Sequence, residues 1–91
     1  MRNPKMNIEY TKHAEENLID RKIPKNLVEE TLKHPQQIVR NHGNRKIAQS
    51  IYRRDNKDFL LRVVYEQGSE GWVVITIYWT TKIKKYWEES K

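Results

Sequence analysis

The chain has 91 residues, of which 36% are hydrophobic and 33% are charged, and it contains no cysteine. This length gives room for one domain with a modest core, and the proportion of apolar and aromatic residues is too high for a disordered chain. The absence of cysteine excludes disulfides and thiolate metal sites. No apolar run approaches the roughly 18–20 residues of a membrane span. Because the N-terminus has no apolar signal segment, we expect a cytoplasmic protein that does not enter a membrane.

The net charge of +6 is distributed unevenly along the chain. Residues 36–87 hold ten Lys and Arg but only four Asp and Glu, and segments 36–54 and 71–87 contain no carboxylate. A basic field on one structural half is typical of a surface that binds phosphate, which makes RNA the expected partner. A basic surface that only aids solubility or binds an acidic protein would have the same composition.

Residues 8–35 predict two helices. Thr11 is a suitable N-cap for a first helix that runs to about Lys22. Pro24 fits the first turn of a second helix, which His34 and Pro35 should end. Before the helices, Asn7–Tyr10 fits a short strand or plain coil, and residues 1–7 are a candidate for disorder.

Residues 36–87 predict an antiparallel sheet. The hydrophobic period changes here from helical to alternating, and turn signals at 41–44, 55–58 and 67–71 separate the strands. Two amphipathic helices need the apolar side of such a sheet to bury their own apolar faces. We therefore predict one α+β domain over residues 1–91, with two N-terminal helices packed on a roughly four-stranded antiparallel sheet.

Strand alternation predicts which side chains share a face of the sheet, provided that no strand has a bulge. The face toward the helices should carry Ile47, Ile51, Leu61, Val63, Val73, Ile75 and Ile77. The other face should carry Lys46, Ser50, Tyr52, Arg62, Thr76, Tyr78 and Thr80. Cations and hydroxyls without carboxylates suit a phosphodiester and do not suit a divalent metal ion, so we expect neither metal nor cofactor. An ordinary solvated sheet face is the alternative.

Within that predicted face, Lys46 and Arg62 are candidates to bind phosphate, and Tyr78 is a candidate to stack on a base or to bond a phosphate oxygen. His13 on the first helix is a candidate general acid or base, or a boundary histidine with a structural hydrogen bond. The C-terminal run interleaves lysines 82, 84 and 85 with Tyr86 and Trp87. This pattern suits single-stranded RNA, or a terminal segment whose aromatic rings cover the core.

The order of several short pieces resembles a known family. The pieces are Tyr10-Thr11-Lys12-His13-Ala14, Arg21-Lys22-Ile23, Val28-x-x-x-Leu32-x-x-Pro35, Leu61-Arg62-Val63-Val64, Val74-Ile75-Thr76-Ile77-Tyr78 and Thr81-Lys82-x-Lys84-Lys85-Tyr86. Over roughly residues 8–87 they resemble a family of small uncharacterised domains grouped with the RelE/ParE-like toxins, near the BrnT-type toxins. The resemblance implies a RelE-like fold and toxin activity in a type II toxin–antitoxin pair.

RelE-type relatives cleave mRNA without metal, by means of basic residues and a tyrosine on the concave sheet face. The resemblance implies catalytic roles for His13, Arg62 and Tyr86, and RNA contacts for Arg21 and Thr81. Further candidate RNA contacts are Lys46 and Tyr78, which the face argument indicates, and Lys82 and Lys85, which belong to the C-terminal run. Relatives often have a second arginine near Asn17, which this chain lacks.

The leading hypothesis is a metal-independent endoribonuclease toxin that an acidic antitoxin neutralises. The alternatives are a non-catalytic RNA-binding module, a ParE-like inhibitor of a protein target, and a relative that keeps the fold without activity. The fold alone does not decide between these activities. Homodimer formation is also left open by the sequence.

Overall fold

The structure, a computed structural model, describes residues 7–89. In chain order the elements are β1 (Asn7–Tyr10), α1 (Lys12–Asp20), α2 (Lys25–Lys33), β2 (Gln37–Arg40), β3 (Arg45–Arg54), β4 (Lys57–Gln67), β5 (Gly71–Thr80) and α3 (Ile83–Tyr86). The prediction of disorder covers residues 1–7. Residues 1–6 lie outside the described residues, and Asn7 is the first residue of β1. Within residues 7–89 the helices have at most nine residues, and none is long and apolar enough to cross a bilayer.

The described part of the chain forms a sheet of five strands in the order β1-β5-β4-β3-β2. The α+β class and the two N-terminal helices are confirmed. The prediction of roughly four strands in a purely antiparallel sheet was wrong, because β1 adds a parallel strand beside β5. Residues 8–10 are therefore part of a strand and not of the helical region, and the sheet ends at Thr80, before the short helix α3.

The ends of α1 follow from its sequence. Thr11 is the N-cap, as predicted, and its hydroxyl accepts a hydrogen bond of 3.1 Å from the third helical N–H. The helix ends at Asp20, two residues before the predicted end. Lys22 then adopts a left-handed conformation with φ of 53°, and the N–H of Ile23 returns to the carbonyl of Leu18 at 2.9 Å.

Both helices pack on one side of the sheet, here named the helix-side face. It carries Ala48, Ser50 and Tyr52 of β3, Leu61, Val63 and Tyr65 of β4, and Val74, Ile77 and Trp79 of β5. Ala14, Leu18, Val28 and Leu32 complete this core from the helices. The opposite side, here named the far face, carries Ile47, Gln49, Ile51, Leu60, Arg62, Val64, Thr76, Tyr78 and Thr80.

The predicted assignment of β3 to the two faces was therefore wrong. Lys46, Ser50 and Tyr52 lie on the helix-side face, whereas Ile47 and Ile51 lie on the far face. Part of β5 was also misassigned: Val73 pairs with Glu66 on the far face, and Ile75 lies at a register shift opposite Val64 and Tyr65. This irregularity breaks the alternation on which the prediction relied.

Helix α1 lies along the edge of β5 that β1 leaves open. The Thr11 hydroxyl donates to the carbonyl of Ile75 at 3.2 Å. The side-chain oxygen of Asn17 accepts from the N–H of Ile77 at 2.9 Å, and Arg21 donates to the carbonyl of Ile77 at 2.6 Å. Side chains of α1 thus replace a neighbouring strand in bonding these backbone groups.

Candidate functional site

Arg62, at the middle of β4, is the centre of a polar cluster on the far face. Its cross-strand partners are Gln49 on β3 and Tyr78 on β5. The Nε group of Arg62 donates to the side-chain oxygen of Gln49 at 2.8 Å, and one terminal nitrogen donates to the Tyr78 hydroxyl at 2.6 Å. The prediction that Arg62 and Tyr78 share a face is confirmed. Only 6% of Arg62 is exposed, which makes this a buried cation.

The C-terminal segment, residues 81–89, covers this cluster. The ring of Tyr86 lies over the guanidinium, with 4.2 Å between Cζ of Arg62 and the ring centre. Gln49 donates through its amide to the backbone carbonyl of Tyr86 at 3.2 Å. Gln37 of β2 bonds both backbone groups of Glu88, at 2.6 Å to the carbonyl and 3.1 Å from the N–H. Two glutamines therefore attach the segment to the sheet.

No carboxylate among residues 7–89 forms an ion pair with Arg62. Two of the ion pairs within those residues flank it on the far face: Arg45 with Glu66 at 3.2 Å and Arg53 with Asp58 at 3.1 Å. These outer cations are neutralised, and the central one is not. Burial of an unpaired cation costs several kcal/mol, which the two hydrogen bonds and the Tyr86 ring offset in part.

The structure brings Arg62, Tyr78 and Tyr86 together, out of the residues predicted for the site. The rings of Tyr78 and Tyr86 meet edge to face, with 6.4 Å between their centres. Lys85 lies beside the same ring, with its ammonium 5.4 Å from the centre of Tyr86. Thr81 and Lys82 are exposed in the same segment, so its lysines add positive charge at the border of the cluster.

His13 and Arg21 lie elsewhere. Both are exposed on or just after α1, and α1 packs on the helix-side face and edge of β5, away from the Tyr86 ring. Arg21 has a structural role there, because it bonds the carbonyl of Ile77. The three residues assigned catalytic roles from the resemblance are therefore not assembled: His13 is separated by the sheet from Arg62 and Tyr86.

Lys46 is also separated from the cluster. It pairs with Tyr65 on the helix-side face, where it lines a surface cleft with Arg40 and Asn44. The predicted grouping of Lys46 with Arg62 and Tyr78 was therefore wrong. The predicted alternation of β3 was offset by one residue from the observed alternation. Lys46 and Ser50 therefore lie on the helix-side face, and Gln49 lies on the far face.

Sequence reasoning missed Gln37 and Gln49. Both are uncharged, and no short motif marks them; only the register of β2, β3 and β4 reveals their function. Their amides also bond each other at 2.8 Å, so a chain of hydrogen bonds runs from Gln37 through Gln49 to Arg62. This chain fixes the guanidinium and leaves its other terminal nitrogen without a hydrogen bond among the described residues.

The cluster has the chemistry of an anion site. A fixed guanidinium with free N–H groups matches a phosphate or carboxylate, and the two phenol rings offer faces on which a base can stack. Guanidinium, amide and phenol groups provide no anionic oxygen for a divalent cation. Access to the guanidinium requires the Tyr86 ring to move, because the ring lies directly on it.

Comparison with curated proteins and with solved structures gave no match to this chain. A family model does match, over residues 10–79. That range includes β5 up to Trp79, and hence Arg62, Gln49 and Tyr78, but it ends before Tyr86. The chain belongs to the family described as a domain of unknown function (DUF4258).

Proposed function

We propose that this protein is an RNA-directed toxin of a type II toxin–antitoxin pair, with a RelE-like fold, and that its RNA contact is the Arg62 cluster on the far face. The observation that supports the proposal is the buried Arg62 guanidinium, which has hydrogen bonds to neutral groups but no carboxylate partner within residues 7–89. An anionic ligand would supply the missing negative charge. The proposed location is the cytoplasm, where mRNA is available.

The proposed reaction is cleavage of mRNA without a metal ion. RNA carries its own nucleophile, the 2′-hydroxyl, so the protein must bind the phosphate, stabilise the charge that develops on it and assist proton transfer. Arg62 would stabilise the phosphate charge, and Tyr78 and Tyr86 would hold the neighbouring base and guanidinium in place. Lys82 and Lys85 would contact the RNA backbone at the rim of the cluster.

The second candidate function is RNA binding without cleavage, and one observation favours it. The sheet separates His13 from Arg62 and Tyr86, so His13 does not act at the cluster. Both candidate functions require the C-terminal segment to move away from Arg62, which it leaves 6% exposed. A cluster built for phosphate binding alone would not need a histidine.

Binding is tested with a labelled single-stranded RNA and two variants of equal charge change, Arg62→Gln and Arg53→Gln. Arg53 is on the far face of the neighbouring strand, and Asp58 already neutralises it. We expect Arg62→Gln to weaken binding about tenfold or more, because a charge-assisted contact contributes roughly 1.5–3 kcal/mol. Arg53→Gln should change the affinity about twofold at most. Equal losses in the two variants would contradict a role for Arg62 beyond its charge.

Cleavage is tested in the presence of a chelator with RNA and DNA of the same sequence. A toxin of the proposed kind cuts the RNA and leaves the DNA intact, since DNA lacks the nucleophile. Tyr86→Phe keeps the ring on Arg62 and removes only its hydroxyl, so loss of cleavage with retained binding would assign that hydroxyl to proton transfer. Induction in a bacterial host with mapping of transcript ends provides the cellular test: growth arrest with intact mRNA would favour a protein target.

The proposed antitoxin is an acidic protein whose segment lies over the far face. The basic residues of the C-terminal segment and the unneutralised Arg62 provide complementary charge for it. Co-expression with the product of a neighbouring small acidic gene should restore growth and give a stable complex. Size-exclusion chromatography of the protein after its separation from that complex would report whether it forms a homodimer.

A further inference from the structure

A second cationic and aromatic site lies on the helix-side face, at the end of the sheet formed by the β3–β4 turn. Phe59 and Trp79 pack with tilted rings, with 5.7 Å between their centres. The guanidinium of Arg54 lies over the indole, with 4.7 Å between Cζ and the ring centre. We name the set of Arg54, Lys57, Phe59 and Trp79 the Trp79 platform. Both rings are half-buried and both cations are exposed.

The charges of the platform are unusual for a strand pair. Arg54 and Lys57 occupy directly opposite positions on β3 and β4, where like charges destabilise a sheet. The adjacent pair, Arg53 and Asp58, points to the far face and forms an ion pair of 3.1 Å. The same hairpin is thus neutralised on one face and cationic on the other, and the ion pairs among the described residues include none with Arg54 or Lys57.

The β3–β4 turn beside the platform contains an acidic residue, Asp55, that could be expected to neutralise the cations of the platform. Asp55 and Asn56 form the two-residue turn, and both have positive φ, 51° and 64°. This geometry fits the tight turn that joins two twisted strands. Asp55 is part of this turn, and the neighbouring Asp58 is bonded to Arg53 on the far face. Among the described residues neither aspartate forms an ion pair with Arg54 or Lys57.

We infer that the Trp79 platform binds single-stranded nucleic acid, with a base stacked on the Arg54–Trp79 layer and an adjacent phosphate beside Lys57. Unpaired bases stack on aromatic rings and on guanidinium planes, and cations beside such rings follow the backbone of the strand. An acidic peptide would complement the charge but would not use the exposed guanidinium plane or the ring layer beneath it. The platform is on the opposite face from Arg62, so this site can exist whether or not the proposed toxin function holds.

The decisive comparison is between two neighbouring residues of the same strand. The probe is a fluorescein-labelled oligouridylate of about twelve nucleotides, followed by fluorescence anisotropy with the full chain. Arg54→Gln and Arg53→Gln remove the same charge from exposed side chains on opposite faces. We expect Arg54→Gln to weaken binding about tenfold, as the loss of one stacking layer would, and Arg53→Gln to change it about twofold at most. Equal effects of the two substitutions would overturn the inference.

Tryptophan emission provides a readout that a purely electrostatic contact would not change. Trp72→Phe combined with Trp87→Phe leaves Trp79 as the single tryptophan of the chain. Oligouridylate should quench its emission, and inorganic phosphate at matched ionic strength should not. Unchanged emission in the presence of bound oligonucleotide would overturn the inference, as would equal quenching by polyglutamate. The quench should persist after Arg62→Gln, which separates this result from the outcome of the far-face proposal.

Discussion

Three tyrosine hydroxyls in this fold have different contacts, which allows a graded test of the Arg62 cluster. The hydroxyl of Tyr78 accepts a charged hydrogen bond of 2.6 Å from Arg62. The hydroxyl of Tyr52 lies 3.0 Å from that of Thr31, whose own proton goes to a backbone carbonyl, so Tyr52 is the donor of a neutral bond. The hydroxyl of Tyr10 is buried without a partner among the described residues. Substitution by phenylalanine removes one oxygen in each case.

The expected changes in the free energy of unfolding follow from these partners. Tyr78→Phe should lower it by about 1.5–3 kcal/mol, and Tyr52→Phe by about 0.5–1.5 kcal/mol. Tyr10→Phe should raise it by about 1 kcal/mol, because the cost of burying an unbonded hydroxyl is relieved. For a chain of this size the midpoints should shift by roughly 10 °C downward, 5 °C downward and 5 °C upward, respectively.

The assay is urea denaturation of the three variants beside the parent chain, with thermal unfolding as a second measure. The order of stability carries the test, since the three changes are chemically the same. If Tyr78→Phe destabilises no more than Tyr52→Phe, the Arg62–Tyr78 bond is absent in the folded protein and the anion site loses its fixed geometry. A loss of stability in Tyr10→Phe would mean that its hydroxyl has a partner.

Further predictions concern three backbone or titration effects. Burial, with the carboxylates of Glu29 and Glu15, raises the pKa of Tyr10 from 10.0 to about 12. The fold therefore prefers the neutral phenol, and the stability that Tyr10 contributes should fall by at most about 2 kcal/mol as the pH rises from about 10 to about 12. Burial also raises the pKa of Tyr65, so urea midpoints across that range should fall further in the parent than in Tyr10→Phe. Lys22→Gly should stabilise by about 0.5–1 kcal/mol, because Lys22 has a φ of 53° that glycine adopts more readily; a lower urea midpoint would contradict this. Gly71→Ala should destabilise by about 3 kcal/mol, because its φ is +154° and a Cβ there would overlap the backbone of β1; amide exchange in β1 should accelerate, and unchanged exchange would argue against the β1–β5 pairing.

Local signals in the sequence predicted the two N-terminal helices and the turns, but not the short helix α3. A capping hydroxyl at Thr11, a proline at 24 and the turn residues around 41–44 and 55–56 act on the few residues next to them. The parallel pairing of β1 had no such signal. Its four residues are bonded to a strand 64 positions further along the chain, and nothing near Asn7–Tyr10 encodes that partner.

The face assignment failed for a different physical reason. Strand β4 has a nearly continuous apolar stretch, and both its faces are buried: Leu60 and Val64 on the far face, Leu61 and Val63 toward the helices. Alternation carries little information in such a strand, and β3 has apolar residues on both sides as well. The shared face of Arg62 and Tyr78 was still predicted correctly. Both residues lie on the same side of the register shift at Val64/Tyr65, so the pairing of β4 with β5 is regular at this position.

The cover over Arg62 could not be predicted either. Gln49 and Gln37 bond the backbone groups of residues 86 and 88, and every residue offers such groups. The ring of Tyr86 contacts Arg62 through a side chain, and the family resemblance had indicated this residue.

The position of β1 in the sheet also determines the order in which the strands can assemble during folding. Asn7–Tyr10 is synthesised long before its partner Gly71–Val74. Closing a loop of this length costs roughly 3–4 kcal/mol of chain entropy. We therefore expect the hairpins β2–β3–β4–β5 to assemble before β1 docks, so that chains truncated before Gly71 keep Asn7–Tyr10 accessible to protease.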